Sequence, residues 1–234
     1  MTGKTLKSLE RESATAVLFS AGLDSAVLLA DERQRGPVHP LYVSVGLAWE
    51  AAELAVAGRL LATPLFAGVE PLERLAFTVT DLYAPAHWAI RGEPPAYDTP
   101  DEDVYLTGRN LVLLAKAGTW CALHRVPRIV LGPLAGNPFP DATPAFFEAM
   151  ARSLSLGLDW PISIETPFRN CHKEDVIRRG QQLGVAFELT LSCMNPRVAG
   201  NEIRHCGQCS KCRERQEAFS AAGVSDPTRY AASA

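Results

Sequence analysis

The segment Ala16-Val-Leu-Phe-Ser-Ala-Gly-Leu-Asp-Ser25, continued by Ala26-Val-Leu-Leu-Ala30, sets the architecture of this chain. Its short apolar run predicts a buried strand, and the small-residue loop from Ser20 leads directly into an apolar helix. The N–H groups at the start of a helix are unpaired and carry partial positive charge, so this context favours phosphate binding. The alternative is a serine-rich turn with an ordinary cap. The Gly-x-x-x-x-Gly-Lys and Gly-x-Gly-x-x-Gly patterns do not occur in it.

Three side chains of this loop have separate expectations. Ser20 and Ser25 supply hydroxyl donors, whereas Asp24 places a carboxylate where phosphate would be repelled. We therefore expect Asp24 to be either the N-cap of the helix or a partner for Mg²⁺ that bridges the phosphates.

Strands and helices alternate along the rest of the chain, which predicts an α/β fold. The predicted strands are residues 16–19, 41–45, 64–69, 128–131 and 161–165. The predicted helices are residues 26–36, 50–61, 111–124, 143–156, 173–183 and 212–222. Strands separated by helices pair in parallel through right-handed crossovers, so we expect a doubly wound, Rossmann-like parallel sheet.

Residues 81–103 interrupt this alternation with Pro85, Pro94, Pro95 and Pro100 and few periodic apolar positions. We interpret them as a long loop that serves as a lid or binding loop, with simple disorder as the alternative. Since no clear linker appears, we expect one globule. Residues 1–190 would form a nucleotide-binding α/β domain with this insertion, and residues 191–234 a zinc-stapled helical extension.

The overall composition limits the function classes. The chain has 234 residues, 47% hydrophobic and 21% charged, with a net charge of −3 and a pI near 6.0. This balance makes a nucleic-acid partner unexpected. Residues 1–15 are polar, and the apolar run 16–19 is too short for a signal peptide or a membrane span. We therefore expect a cytoplasmic protein with reduced thiols and no membrane partner.

Four of the six cysteines have the spacing of metal ligands: Cys193, Cys206, Cys209 and Cys212. Two Cys-x-x-Cys steps and one upstream thiolate can surround a tetrahedral ion, which predicts one zinc. Four thiolates leave no open position for water, so we expect a structural role.

The remaining cysteines and a nearby histidine have less specific signals. Cys121 lies in an apolar helical pattern and is expected to be a small core residue. Cys171 and His172 are adjacent, and neighbouring residues rarely face each other as a nucleophilic pair. His205 is an alternative ligand for the zinc.

Several segments together resemble 7-cyano-7-deazaguanine synthases (QueC or ExsB-like), within the ATP pyrophosphatase-loop superfamily. The loop at Ser20 is similar to that superfamily's Ser-Gly-Gly-x-Asp-Ser pyrophosphate loop, with Ala21 in place of a glycine. Alanine there costs little if its φ is negative and more if it is positive. The other matching segments are Gly108-Arg-Asn110, Lys173-Glu-Asp-Val-Ile177, Leu183-Gly-Val-Ala-Phe-Glu-Leu-Thr-Leu-Ser-Cys193, His205-Cys-Gly-Gln-Cys-Ser-Lys-Cys-Arg-Glu-Arg215 and Ala222-Gly-Val-Ser-Asp-Pro-Thr-Arg-Tyr230.

The resemblance implies an ATP-dependent carbon–nitrogen ligase with an adenine nucleotide alpha-hydrolase-like fold. Such an enzyme converts 7-carboxy-7-deazaguanine and ammonia to 7-cyano-7-deazaguanine in queuosine biosynthesis, with ATP, Mg²⁺ and one structural zinc, as a homodimer. The implied cofactor-binding residues are Phe19, Ser20, Ala21, Gly22, Leu23, Asp24, Ser25, Ala26, Val27, Leu28 and Gly46. The implied catalytic residues are Ser20, Asp24, Ser25 and Arg109.

The implied substrate-binding residues are Arg109, Asn110, Asp141 and Lys173. Each has a simpler alternative. Arg109 could form a surface salt bridge, and Asn110 could be a helix cap. Asp141 could cap the helix at Thr143, and Lys173 could be solvated at the start of its charged helix.

Two segments depart from the family pattern. Ser44-Val-Gly-Leu-Ala-Trp49 stands where the family has Asp-Tyr-Gly-Gln-x-His, and Asn137-Pro-Phe-Pro-Asp-Ala-Thr143 stands where it has Gly-Tyr-Pro-Asp-Cys-Arg. These departures favour the alternative of a QueC-like paralogue that activates a different carboxylate, such as a modified nucleobase, a peptide or a protein terminus. A nucleotide-binding regulator and a thiolation enzyme are further alternatives, disfavoured by the acidic balance and by thiols committed to zinc.

Overall fold

A five-stranded parallel sheet forms the centre of the molecule in the computed structural model, which describes residues 14–232. Its strands are β1 (Thr15–Leu18), β2 (Val38–Ser44), β3 (Glu73–Ala76), β4 (Arg128–Val130) and β5 (Ser163–Glu165). They lie in the order β3-β2-β1-β4-β5, and every neighbouring pair is parallel. The predicted α/β fold is confirmed.

Helices connect the strands and continue beyond them. They are α1 (Leu23–Glu32), α2 (Glu50–Leu61), α3 (Trp88–Arg91), α4 (Arg109–His124), α5 (Pro144–Leu158), α6 (Lys173–Leu183) and α7 (Ser210–Ala222). Short 3₁₀ turns lie at Pro64–Phe66, Asp101–Val104, Pro140–Ala142 and Phe187–Leu189, and a hairpin of β6 (Arg197–Ala199) and β7 (Glu202–Arg204) precedes α7. No helix within residues 14–232 has the length and apolar character needed to cross a membrane.

Neighbouring residues of β1 enter two separate apolar cores, because successive strand residues point to opposite faces of a sheet. Val17 packs with apolar residues of α1, α2, α6 and α7 on one face. Ala16 packs with apolar residues of α4 and α5 on the other face. Helices therefore cover both faces, which makes the sheet doubly wound. Cys212 and Phe219 of the C-terminal segment belong to the first core, so this segment packs on the same globule.

The strand order reverses beside β1. The chain moves outward from β1 to β2 and β3, and then returns to β4 on the other side of β1. In open α/β sheets, this reversal leaves a crevice at the carboxyl ends of the two central strands, where ligands bind. The loop at Ser20 follows β1 and Gly132 follows β4, so both lie at this crevice.

The prediction of a third strand at residues 64–69 is wrong. A 3₁₀ turn covers Pro64–Phe66, and the third strand is Glu73–Ala76. Proline lacks an N–H donor and has a fixed φ, which suits the start of a helical turn better than a paired strand. β3 lies at the edge of the sheet and alternates between half-buried and exposed residues, so it lacks the apolar run that marks the central strands.

Residues 81–103 are mainly irregular, as predicted, but they contain α3 and lead into the 3₁₀ turn at Asp101–Val104. Ala89 of α3 is fully buried. The backbone of Ala96 forms an isolated bridge with Cys209. The segment is therefore packed against the cysteine-rich extension, which contradicts the alternative of simple disorder for its described residues.

The contact between α6 and α1 leaves no space for a side chain at Gly180. A Cβ atom added there would lie 2.6 Å from both Val27 Cγ2 and Phe187 Cζ. We expect Gly180→Ala to lower the free energy of unfolding by about 1–3 kcal/mol, because overpacking forces these core side chains to move. Urea unfolding measures the change. Gly58→Ala is the matched control, since Gly58 lies in α2 with no atom within 4 Å of the added Cβ. It should raise stability by up to about 1 kcal/mol, and equal effects of the two substitutions would contradict this packing.

Candidate functional site

The loop between β1 and α1 is closed by its own serines. Gly22 is the N-cap of α1, so Asp24 is the second helical residue, and the expectation that Asp24 is the N-cap is wrong. The Ser25 hydroxyl donates to the Gly22 carbonyl at 3.0 Å and accepts from the Ser20 N–H at 3.3 Å. Glycine provides no capping side chain, so the first N–H groups of α1 keep the anion-binding character that the sequence predicts.

Ala21 is the strained residue of this loop. Its φ is +58°, in the left-handed region that glycine adopts more readily, which costs about 1 kcal/mol. Of the negative and positive φ values considered for Ala21, the structure has the positive and more costly one. The Ala21 carbonyl accepts a hydrogen bond from the Leu191 N–H at 2.9 Å, so the start of the C-terminal extension holds the loop in this conformation.

Asp24 and Lys173 form an ion pair beside the loop. Lys173 Nζ lies 3.3 Å from Asp24 Oδ2 and also contacts Glu214. Burial alone lowers the pKa of Lys173, but the two carboxylates outweigh it and raise that pKa above its usual value. Burial raises the pKa of Asp24, although the positive charge of Lys173 acts to lower it. Asp24 Oδ1 is buried and has no hydrogen-bond partner among the described residues. The alternative of a solvated Lys173 is wrong, since its side chain is only 14% exposed.

Two adjoining cavities open beside the loop and share Ser20, Asp24, Glu53 and Arg109 in their walls. The first has a volume of about 290 Å³ and lies at the carboxyl ends of β1, β2 and β4. Its apolar walls include Leu18, Leu41, Val43, Leu113 and Leu131. The arrangement places a partly apolar chamber directly next to the loop.

The second cavity, of about 310 Å³, extends from the loop towards the C-terminal extension. Its walls include Trp49 and Trp88, whose rings are stacked 5.8 Å apart at an interplanar angle of 11°. Lys173, Lys211 and Glu214 line its other side. This cavity therefore combines a flat aromatic wall with a cluster of charges.

Arg109 stands in the wall common to both cavities. It is the first residue of α4, after Gly108, which adopts a positive φ of 73°. Arg109 Nε is buried and has no hydrogen-bond partner among residues 14–232. A buried donor without an acceptor is costly, so this atom is suited to bind an anionic or carbonyl group. Its position in the cavity walls disfavours the alternative of a surface salt bridge.

Glu53 is a buried carboxylate that lines both cavities together with Arg109. Tyr42 donates a hydrogen bond from its hydroxyl to Glu53 Oε2 at 2.7 Å. Burial raises the pKa of Glu53 to about 7, although Arg109 and the Tyr42 hydrogen bond favour its charged form. A carboxyl group that titrates near neutral pH in a cavity wall is suited to proton transfer.

Asn110 and Asp141 hold each other at the edge of the first cavity. The Asn110 N–H donates to Asp141 Oδ2 at 3.0 Å, and Asn110 Nδ2 donates to the Asp141 carbonyl at 2.9 Å. Asp141 thus satisfies an N–H in the first turn of α4. The alternative that it caps the helix at Thr143 is wrong, because Thr143 caps α5 with its own hydroxyl. Asn110 lies inside the first turn of α4 and is not its cap.

The segment after β2 is fixed by Glu50. Its carboxylate accepts hydrogen bonds from the Val45 N–H at 2.8 Å, the Gly46 N–H at 3.0 Å and the Ser44 hydroxyl. Gly46 has a φ of +95°, and a Cβ atom there would lie 2.5 Å from Thr80 Cγ2. A side chain at this position would be strained by the positive φ and would crowd Thr80.

Most of the predicted site residues meet at the two cavities, and some do not. Those in the walls are Phe19, Ser20, Gly22, Leu23, Asp24, Ser25, Arg109, Asn110, Asp141 and Lys173. Those outside the walls are Ala21, Ala26, Val27, Leu28 and Gly46. Ala26, Val27 and Leu28 of α1 are fully buried in the apolar core and do not reach the cavities.

The four predicted cysteine ligands form one buried cluster. Their Sγ atoms all lie within 4.8 Å of one another, with Cys206 to Cys212 at 3.9 Å and Cys209 to Cys212 at 3.5 Å. A tetrahedron of sulfurs with Zn–S bonds of about 2.3 Å has edges of about 3.8 Å. Backbone N–H groups of Asn195 and Cys206 point at Cys193 Sγ, as expected for a thiolate. The donor set therefore fits zinc, and its burial fits a structural role.

His205 does not replace a cysteine in this cluster. Its Nε2 accepts a hydrogen bond from the Ser192 N–H at 3.1 Å. Burial and the nearby Arg215 lower the pKa of His205 to about 3, so its ring is neutral. Cys121 is fully buried in the second core, as predicted, and burial raises its pKa to about 12.

Comparisons with known proteins identify a family for this chain. The family model described as Queuosine biosynthesis protein QueC matches residues 14–223. The chain belongs to the QueC family. It is 35% identical over 230 residues to the 7-cyano-7-deazaguanine synthase of Thiobacillus denitrificans, covering 92% of this chain and 97% of that one. It is 37% identical over 224 residues to the enzyme of that name from an Azoarcus species, covering 92% and 96%.

Two further similarities differ in strength. The 7-cyano-7-deazaguanine synthase of Anaeromyxobacter dehalogenans is 34% identical over 236 residues, covering 96% of this chain and 99% of that one. A crystal structure described as a predicted subunit of tRNA methyltransferase from Methanocaldococcus jannaschii aligns with a TM-score of 0.41 and 12% identity, covering 93% and 92%. The latter likeness is too weak to support a conclusion. The predicted family is confirmed by the family model and by the 7-cyano-7-deazaguanine synthases that match nearly the whole chain.

Sequence reasoning missed several polar residues of this QueC-family site: Tyr42, Glu50, Glu53, Lys211 and Glu214. Glu50 and Glu53 sit in an ordinary amphipathic helix, where charged residues usually face solvent. One signal was available, because Glu50 and Glu53 directly follow the segment 44–49 that departs from the family pattern.

The zinc cluster predicts a large effect of Cys209→Ser. A serine hydroxyl is a poor zinc ligand, so we expect metal loss and a decrease of more than about 4 kcal/mol in the free energy of unfolding. Zinc content and urea unfolding measure the two effects. Cys171→Ser is the control, because Cys171 lies outside the cluster, and it should keep zinc and change stability by less than about 1 kcal/mol. Full stability of Cys209→Ser without zinc would refute a structural role.

Glu53 predicts a pH-dependent stability. The folded protein retains the Glu53 proton up to about pH 7, whereas the ordinary pKa is 4.5. Between these values the unfolded chain has already released the proton, so stability decreases as pH rises through this window. From pH 6 to pH 8 we expect wild type to lose about 1 kcal/mol more than Glu53→Gln, which cannot titrate. Urea unfolding at both pH values tests this, and equal losses would show that Glu53 has an ordinary pKa.

Proposed function

We propose that this chain is an ATP-dependent carbon–nitrogen ligase that converts 7-carboxy-7-deazaguanine and ammonia to 7-cyano-7-deazaguanine in queuosine biosynthesis. The observation that carries the proposal is a phosphate-type loop that opens on two adjoining cavities in a member of the QueC family. The relatives described above bear the name of this activity. Residues up to about 190 would bind the nucleotide, with the zinc-stapled extension packed against them.

The first cavity suits the nucleotide. Its apolar walls would take the adenine and ribose, and the loop from Ser20 to Ser25 would hold the phosphates on the N-terminus of α1. The unpartnered Asp24 Oδ1 fits a cation there. Asp24 would hold Mg²⁺, which would supply positive charge against the phosphates.

The second cavity suits the acid. The stacked Trp49 and Trp88 would bind a flat heterocycle, because aromatic faces stack on planar rings. Arg109 would pair with the substrate carboxylate through its planar fork, which would satisfy the orphaned Nε. Since Arg109 lies in both walls, it would hold the carboxylate against the phosphates. Such placement lowers the barrier by orienting the two reactants.

The first half of the reaction would form an amide. The substrate carboxylate attacks ATP and displaces ADP or pyrophosphate, so that one carboxylate oxygen becomes part of a phosphorylated or adenylated leaving group. Ammonia then adds to the carbonyl carbon, and the activated oxygen departs with its phosphate or AMP. Arg109 and the N–H groups of the loop would stabilise the negative charge on these oxygens.

The second half would convert the amide to the nitrile. ATP activates the amide oxygen in the same way, and elimination of that oxygen requires loss of the nitrogen protons. Glu53, which lies in both walls and titrates near pH 7, is placed to accept a proton.

The proposal also includes features that the resemblance implies. One zinc would hold the extension together without taking part in the reaction, because four thiolates would occupy all of its coordination positions. The active form would be a cytoplasmic homodimer without a nucleic-acid partner.

A direct assay tests the proposal. The purified protein is incubated with ATP, Mg²⁺, ammonia and 7-carboxy-7-deazaguanine, and the nitrile is sought by mass spectrometry. Arg109→Lys keeps the charge but loses the planar fork, so we expect a decrease in kcat/KM of about 100-fold. Arg152→Lys on the exposed part of α5 is the control and should keep wild-type activity.

The outcomes separate the alternatives. Nitrile formation supports the proposal. ATP turnover without nitrile would instead favour a QueC-like paralogue with a different carboxylate substrate, which the altered residues 44–49 and 137–143 also favour. An absence of ATP binding would contradict both.

A further inference from the structure

Four charged side chains from three elements meet on the wall of the second cavity. Asp24 comes from α1, Lys173 from the start of α6, and Lys211 and Glu214 from α7. Glu214 contacts both lysines, one with each carboxylate oxygen: Oε1 contacts Lys173, and Oε2 accepts from Lys211 Nζ at 2.7 Å. Glu214 therefore ties together the two ammonium groups that face the loop.

Lys173 needs this support where it stands. It is the first residue of α6, and the N-terminus of a helix disfavours a cation. Its side chain is largely buried, and a buried ammonium requires opposite charges close to it. Asp24 of α1 and Glu214 of α7 supply them. A lysine stem is long and flexible, so each such contact restricts where its ammonium lies.

The backbone of Glu214 is itself held firmly. Cys212, two residues before it, belongs to the cysteine cluster. Arg215, directly after it, is 1% exposed and donates to the Phe187 carbonyl at 2.9 Å and the Thr190 hydroxyl at 2.9 Å. Glu214 thus lies between two residues of α7 that are held by buried contacts, Cys212 and Arg215, and its side chain reaches the ammonium groups beside the loop.

We propose that Glu214 is a positioning residue that holds the ammonium groups of Lys173 and Lys211 at the phosphate loop, so that the zinc-held extension completes the polyphosphate site. Both ammonium groups line the cavity wall together with Ser20 and Gly22 of the loop, so their positive charges would attract phosphate oxygens there. The inference rests on the proposed function in one respect, namely that the ligand of the loop is the polyphosphate of a nucleotide.

Charge and position predict opposite effects of removing Glu214. The four groups are two cations and two anions, so their formal charge is zero. Loss of the Glu214 charge makes the wall more positive, and by attraction alone polyphosphate would bind more tightly. If Glu214 positions the lysines, polyphosphate binds more weakly despite that attraction. The direction of the change therefore decides between the two roles.

Glu214→Gln tests the inference, because it keeps the size of the side chain and removes its charge. We expect it to retain one zinc and a Tm within a few degrees of wild type, while KM for ATP rises about tenfold and kcat changes little. The binding of inorganic pyrophosphate with Mg²⁺, measured by calorimetry, should weaken to a similar extent. Glu217→Gln on the same helix is the matched control, since the Glu217 side chain is 68% exposed, and all of these quantities should stay at wild-type values.

Other results would overturn the inference. Unchanged or tighter binding of pyrophosphate by Glu214→Gln would show that Glu214 does not position the lysines. Should that variant lose zinc, Glu214→Asp provides the second test, because it keeps the charge but is too short to reach both lysines. Loss of zinc in both variants, or wild-type binding by Glu214→Asp, would reduce Glu214 to a structural role. Pyrophosphate binding without ATP turnover in wild type would count against the proposed function alone.

Discussion

The site depends on one constraint of the sheet, the reversal of strand order beside β1. Helices that follow neighbouring parallel strands begin at the same edge, and the reversal leaves this edge open between β1 and β4. The N-terminus of α1 therefore faces a crevice rather than another helix. Gly22 leaves it without a capping side chain, and Ser20 and Ser25 close the loop on themselves. The two cavities follow from that opening.

The C-terminal extension serves the loop as well as the core. Its Leu191 N–H holds the strained Ala21, and its Glu214 holds Lys173 beside Asp24. These contacts need a fixed backbone, and the cysteine cluster supplies it in a segment with short strands and one helix. A structural zinc there would therefore be relevant to ligand binding without touching the reacting atoms.

The segment after β2 is held by contacts within this chain. Glu50 binds the backbone of Val45 and Gly46, and Trp49 stacks on Trp88 in the wall of the second cavity. The wall there is aromatic, and its shape is set by a helix and the long loop together. If the proposed acid binds in this cavity, stacking and shape at this wall would select among flat substrates.

Local patterns were sufficient for the central part of the fold and for the metal ligands. The run from Ala16 to Ser25 specified strand, loop and helix, because burial and helix polarity act over neighbouring residues. The cysteine spacing specified one cluster, because four thiolates must reach one ion. Edge strand β3 could not be found this way, since it has no apolar run. Glu53 and Glu214 look like solvated helix residues in the sequence, and only the packing of distant elements turns them towards Arg109 and Lys173. Their chemistry arises from burial and from neighbours far away in the chain, which no local pattern contains.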